Sequence, residues 1–308
     1  MKRKIIIQIV IALCTVFSAC KKDVLETSEL PNVGPYASLQ DFYNQHGAAS
    51  QTFDFLPSED YIIMGDSGTM IGVPANSLVD DNGLPPVGMV TATLREIYGV
   101  KSMVLSHTPT TSGGAILQSG GMFYLQFTAN NISYKPDTVM GAIMYPGSAI
   151  SGMKIYYGQP NSGNGINWVV DSNSVVVDSN NVYVFSFDSL GYGWINVDQL
   201  YNIANSVNVD ITPVIDAERN ETVDFAVYLI LPSINSVMNI ANTSVPQNII
   251  ASNIPAGMEA VAAVIGVGRI TKKAYFGKIN FTISAPLNIN VTVTQMSDQD
   301  ILNSLSSL

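Results

Sequence analysis

The chain has 308 residues, 47% of them hydrophobic and only 12% charged, with 14 Lys+Arg against 24 Asp+Glu and a formal net charge of −10 at pH 7. So acidic a chain has no clustered cations to neutralise phosphate, which excludes nucleic acid as a partner. Its two cysteines are Cys14 and Cys20, so everything after residue 20 lacks a disulfide, a cysteine nucleophile and a thiolate metal site.

Lys2, Arg3 and Lys4 form a basic head, Ile5 to Val16 is an apolar run broken by Gln8 and Thr15, and Phe17-Ser18-Ala19 leads into Cys20. The run is shorter than the roughly 20 apolar residues of a membrane-spanning helix, and its layout is that of a secretory signal. This segment resembles the bacterial lipoprotein signal. The resemblance implies removal of residues 1–19, acylation of Cys20, and a lipid-anchored place in the cell envelope, at the outer membrane. Several acyl chains hold a protein firmly where one holds it marginally. Once Lys2, Arg3 and Lys4 leave with the signal, 11 basic residues face 24 acidic ones.

Residues 20–37 mix Lys, Asp, Glu, Ser and Pro with little to bury, which predicts an extended tether. Ser38 to Asp41 opens a short helix, with Ser38 as cap and Leu39, Phe42 and Tyr43 as its apolar side. After Gly47 the pattern becomes short strands with turn signals, up to about residue 294. Asn82-Gly83 predicts a tight turn. Val90, Ala92 and Leu94 alternate with Thr91, Thr93 and Arg95, the period of a half-buried strand. Met122 to Phe127 reads as a central strand.

The stretch from Gly68 to Ile97, followed by Thr110 to Ala129, resembles the N-terminal β-sandwich of uncharacterised Bacteroidota-type lipoproteins. Its Val73-Pro74-Ala75 strand is similar to the opening strand of ZU5-like sandwiches. Leu190 to Asp198 and Ile254 to Gly277 resemble later parts of the same group. The resemblance implies a fold and carries no activity. Asp137-Thr138-Val139 and Asp188-Ser189-Leu190 resemble the O-glycosylation acceptor of such bacteria.

Short strands follow at 153–157, 167–170 and 182–187, punctuated by two Asp-Ser-Asn turns at 171–173 and 178–180. These turns read either as a small duplication or as two similar turns. Val223 to Leu231 is apolar enough to be buried on both faces. Ile279, Phe281 and Ile283, then Ile289, Val291 and Val293, alternate with polar residues as strands with one wet face. Ser297 caps a C-terminal helix whose apolar side is Ile301, Leu302 and Leu305.

The fold class read from this pattern is all-β, with two sandwich-like domains in tandem after a signal peptide and tether, and a short C-terminal helix. The expected boundaries are 38–190 for the first domain and 191–308 for the second.

Chemistry-bearing patterns are sparse. His46 and His107 have no ligand partner at metal-binding spacing, and there is no nucleophile elbow or phosphate loop. Asp80-Asp81-Asn82 and the Asp-Ser-Asn turns lack the spacing of a calcium loop. Glu218, Glu221 and Asp224 read as a solvated loop beside Arg219 rather than a glycosidase pair. No catalytic residue, metal site or cofactor is therefore assigned.

Aromatics are the richer signal. Tyr156, Tyr157, Trp168, Tyr192 and Trp194 cluster between the two expected domains, beside Asn164 and Asn167. They fill a core or form a sugar-stacking platform at a domain junction. The functional expectation is a non-enzymatic, lipid-anchored protein that binds another protein or acts structurally. A glycan-binding accessory protein is the alternative, and an envelope hydrolase ranks last.

Overall fold

In the computed structural model of the chain, the described residues are 33–160, 165–188, 192–215, 221–284 and 287–308. The expected signal peptide, Cys20 and most of the tether lie outside them, as do Asn164, Ser189, Glu218 and Arg219. The fold is all-β, built from a nine-stranded, a five-stranded and a seven-stranded sheet.

The nine-stranded sheet orders Ser50–Phe55, Val90–Ile97, Ala115–Ala129, Trp194–Leu200, Lys154–Pro160 and Ile166–Val170, with three short strands off this path. The five-stranded sheet orders Val177–Ser179, Val182–Phe187, Met140–Met144, Met70–Val73 and Tyr61–Met64. These two sheets bury one core between them. Leu94, Phe123, Phe127 and Ile195 enter it from the first, and Ile63, Ile71, Met140 and Phe185 from the second. The alternation read at Val90–Ile97 places Val90, Ala92 and Leu94 in this core and Thr91, Thr93 and Arg95 on the opposite face.

In the seven-stranded sheet, Val223–Leu231 and Glu259–Gly268 are central and buried on both faces. One face encloses a core of its own, with Val209, Phe225, Leu229, Val264 and Val291. The other face packs Tyr228, Ile265 and Phe276 against Phe42, Met103, Met122, Tyr156 and Trp168 from the first half of the chain. The two halves thus share a third core, and 34–308 forms a single compact unit.

Ser38 caps the helix Leu39–His46 through Asp41 N–H at 3.2 Å, and Ser297 caps Asp298–Leu305 through Asp300 N–H at 3.2 Å. Ile301 and Leu305 are buried in the shared core. A third helix, Val100–Leu105, was not foreseen. Among the described residues no helix is long and apolar enough to cross a membrane.

Several expectations need correction. The tether does not stay extended to residue 37. Gly34 N–H donates to Thr271 O at 2.6 Å, Tyr36 N–H donates to Lys272 O, and the Tyr36 ring is buried. Trp194–Leu200, placed in the second domain, is an inner strand of the first sheet, between Ala115–Ala129 and Lys154–Pro160. Its apolar residues Ile195 and Val197 complete the first core.

The tight turn expected at Asn82-Gly83 forms, closed by Gly83 N–H to Asp80 O at 3.1 Å, with a positive φ at Gly83 and not at Asn82. The two Asp-Ser-Asn stretches differ in kind. Asp171 accepts from Asn173 N–H, whereas Asn180 and Asn181 both take positive φ in a hairpin turn. Ile279 is exposed, since pairing of its strand with Leu287–Gln295 covers only Tyr275 and Phe276.

Candidate functional site

The five aromatics read as one cluster divide between two cores, Tyr156, Trp168 and part-buried Trp194 on the shared one and Tyr157 and Tyr192 against the first. Trp168 is fully buried and its Nε1–H donates to Pro109 O at 2.6 Å; Tyr156 lies in the same shared core. Tyr157 is half-buried and donates to Asp171 Oδ2, and burial holds its hydroxyl protonated far above the usual range. Tyr192 stacks on Phe127 and accepts the Phe127 N–H at 2.6 Å. Trp194 packs at the edge of the shared core and lines a surface cavity. Asn167 is taken up by Gly113 N–H. The junction platform is therefore dispersed, because alternate residues of these strands face opposite sides of the sheet.

Around Trp194 the structure assembles residues the sequence reading did not connect. On the outer face of the nine-stranded sheet, Ser50 lies opposite Arg95, Arg95 opposite Tyr124, and Tyr124 opposite Trp194, on four adjacent strands. In the neighbouring row Thr52 faces Thr93 and Thr93 faces Gln126. The Tyr124 and Trp194 rings are 5.2 Å apart, inclined at 52°. Ser50, Thr93, Arg95, Tyr124, Gln126 and Trp194 line a shallow cavity of about 430 Å³. Arg95 also borders a second hollow of about 230 Å³, beside Gln40, Asn44 and Ser106. Its Nε is buried with no hydrogen-bond partner among the described residues. The outward alternation of Thr93 and Arg95 was legible; their register with Tyr124 and Trp194 was not.

A different surface covers the outer face of the five-stranded sheet. Val177, Val184, Ile143, Met70 and Met64 lie opposite one another in one row crossing all five strands. Met64 is 61% exposed, Val177 51% and Val184 38%. The adjacent row, Ser186, Gly141, Gly72 and Ile62, has two residues without side chains, so the stripe stands clear.

The titratable groups are engaged in structure. His46 Nε2 lies 2.6 Å from Tyr36 Oη and 3.6 Å from Asp298 Oδ2. His107 stacks on Tyr43 and meets Tyr228 Oη, and burial lowers its pKa. Glu221 accepts from Ile270 N–H, Thr271 N–H, the Thr271 hydroxyl and Tyr275 Oη. Asp224 forms a bidentate pair with Arg269. Asp80 accepts from Leu84 N–H and Asn82 N–H, which lowers its pKa. Among the described residues no group of three or more His, Cys, Asp or Glu could hold a metal ion. Thr138 of the first acceptor-like tripeptide is exposed.

Among the described residues Asp198 is the strongly shifted carboxyl. It is fully buried at a bulge in Trp194–Leu200, and Asn196 Nδ2 donates to its Oδ2 at 2.6 Å. Burial pushes its pKa up to about 8, against the opposing hydrogen bonds of Ser119, Asn196 and Gly120. Asp198 Oδ1 and Asn196 Oδ1 have no partner among the described residues.

No protein-family model and no curated protein matches the chain.

Proposed function

We propose that this is a non-enzymatic, lipid-anchored envelope protein that binds another protein through the outer face of its five-stranded sheet. The observation that carries the reading is the apolar row from Met64 to Val177 across five strands. Contiguous apolar surface is costly to leave in water, and patches of this kind mark interaction sites. Exposed Asp66 borders one end of Tyr61–Met64, and exposed Glu59 and Asp60 border the other. The partner is accordingly a protein with an apolar contact face rimmed by Lys or Arg. The anchor rests on the Lys2 to Cys20 signal.

Two experiments test this. Palmitate labelling of the wild type and of Cys20→Ala addresses the anchor; undiminished label in the variant would sink it. For the docking face, a photo-crosslinker at position 143 in intact cells is expected to capture one discrete partner. Capture should fall with added salt and disappear when Met64→Lys is introduced. A product of twice the chain's own mass, or capture unchanged by Met64→Lys, overturns the assignment.

A further inference from the structure

We infer that the outer face of the nine-stranded sheet around Arg95 is a binding site for an acidic saccharide, a sugar bearing a carboxylate. The site is separate from the docking face proposed above and does not depend on it.

The first support is electrostatic. Among the described residues the ion pairs are His46–Asp298, Lys135–Asp81 and Arg269–Asp224, and Arg95 belongs to none. Arg95 is thus a guanidinium outside every ion pair among the described residues, in a chain with an excess of acids, and it lines the cavity. The planar fork matches a carboxylate through two parallel N–H donors.

The second support is shape. Tyr124 and Trp194 stand next to the guanidinium in the same row and present two inclined ring faces. The C–H face of a pyranose packs on such rings. Thr93, Gln126 and Ser50 add hydroxyl and amide groups that both donate and accept, as sugar hydroxyls require. The cavity of about 430 Å³ lies within the size range of small-molecule sites.

The third support weighs against an extended acidic peptide added as a strand beside Arg95. Peptides commonly bind a sheet by adding a strand to a free edge. Val90–Ile97 is paired on both sides at Thr93 and Arg95, and Ala115–Ala129 at Tyr124. A ligand that reaches Arg95 and Tyr124 together therefore lies on the face, where side chains meet it.

Titration of the full mature chain with digalacturonic acid, followed by tryptophan fluorescence and calorimetry, tests the proposal. Trp194 is part-buried at the cavity and Trp168 fully buried, so a change in emission reports on Trp194. Saturable binding of digalacturonic acid is expected, with neutral digalactose at least about tenfold weaker, the usual worth of one charge-assisted hydrogen bond. Arg95→Gln should weaken the acidic sugar by a similar factor with an unchanged melting temperature, and Arg95→Lys should restore part of it. No saturable binding at millimolar sugar, equal binding of the neutral sugar, or undiminished binding by Arg95→Gln overturns the proposal. An Asp-Asp dipeptide binding as well as the sugar would overturn the saccharide assignment.

Discussion

Trp194 stands edge-on to Trp168, with ring centroids 6.4 Å apart and planes at 87°. The two indoles are neighbours with different duties. Trp168 is sealed in the shared core and anchored to Pro109 O, while Trp194 packs over it with part of its ring in water. Trp168→Ala should therefore cost about 3–5 kcal/mol, the range for emptying a large buried aromatic site. Trp194→Ala should cost about 1–2 kcal/mol, since less of its area is withdrawn from water. Urea denaturation of both variants measures the pair, and an equal loss would contradict the division of roles.

Asp198 gives stability a dependence on pH. Its folded pKa, about 8, lies above the unfolded carboxyl value, so the folded state holds the proton more tightly. The contribution from this group is greatest below about pH 4 and is lost as pH rises towards about 8. Asp198→Asn should flatten this part of the profile. Denaturation midpoints at pH 5 and pH 8.5 for the two proteins give the comparison, and parallel profiles would count against a neutral, buried Asp198.

Glu96 has the opposite sign. Burial acts to raise its pKa, but hydrogen bonds from Thr69, Ser67 and Gln51 more than offset this and lower it. Its contribution is present above the unfolded carboxyl pKa and lost as pH falls through the folded one. Glu96→Gln places an amide against the N–H groups of Ser67 and Thr69 and should cost about 1–3 kcal/mol at pH 7. The cost should shrink at pH 3, where the wild-type carboxylate is itself being neutralised.

Gly277 is needed for proximity alone. A Cβ at this position would stand 2.1 Å from Thr292 O, on the neighbouring strand. Gly277→Ala must push those strands apart and should cost about 1–3 kcal/mol, as overpacking does. A melting temperature unchanged from the wild type would show that the strands yield freely.

What the sequence disclosed was local. Caps at Ser38 and Ser297, the alternation at Val90–Ile97 and the doubly buried Val223–Leu231 each follow from a few consecutive residues. The short helix Val100–Leu105 escaped because six residues give fewer than two turns of periodicity and Gly99 offers no side-chain cap. Trp194 was singled out, but its partners Arg95 and Tyr124 lie 99 and 70 positions earlier and meet it only through strand register. Proximity in sequence grouped Tyr156 and Trp168 with Tyr157 and Tyr192 instead, and the pleat sent them to different sides. Gly34 and Tyr36 looked like tether because their partners, Thr271 and Lys272, are more than 230 residues away.

The position of Trp194–Leu200 bears on how the molecule is made. Its two neighbours, Ala115–Ala129 and Lys154–Pro160, are earlier in the chain, yet in the sheet ladder they are held one strand's width apart with it between them. A polypeptide released as far as residue 190 has two unpaired edges facing across a vacant lane, and such edges invite wrong partners. The first sandwich therefore has no finished intermediate of its own. It closes only when a late segment slots into the middle of its larger sheet, which makes the earliest-made half of the protein wait on a strand that comes two-thirds of the way along.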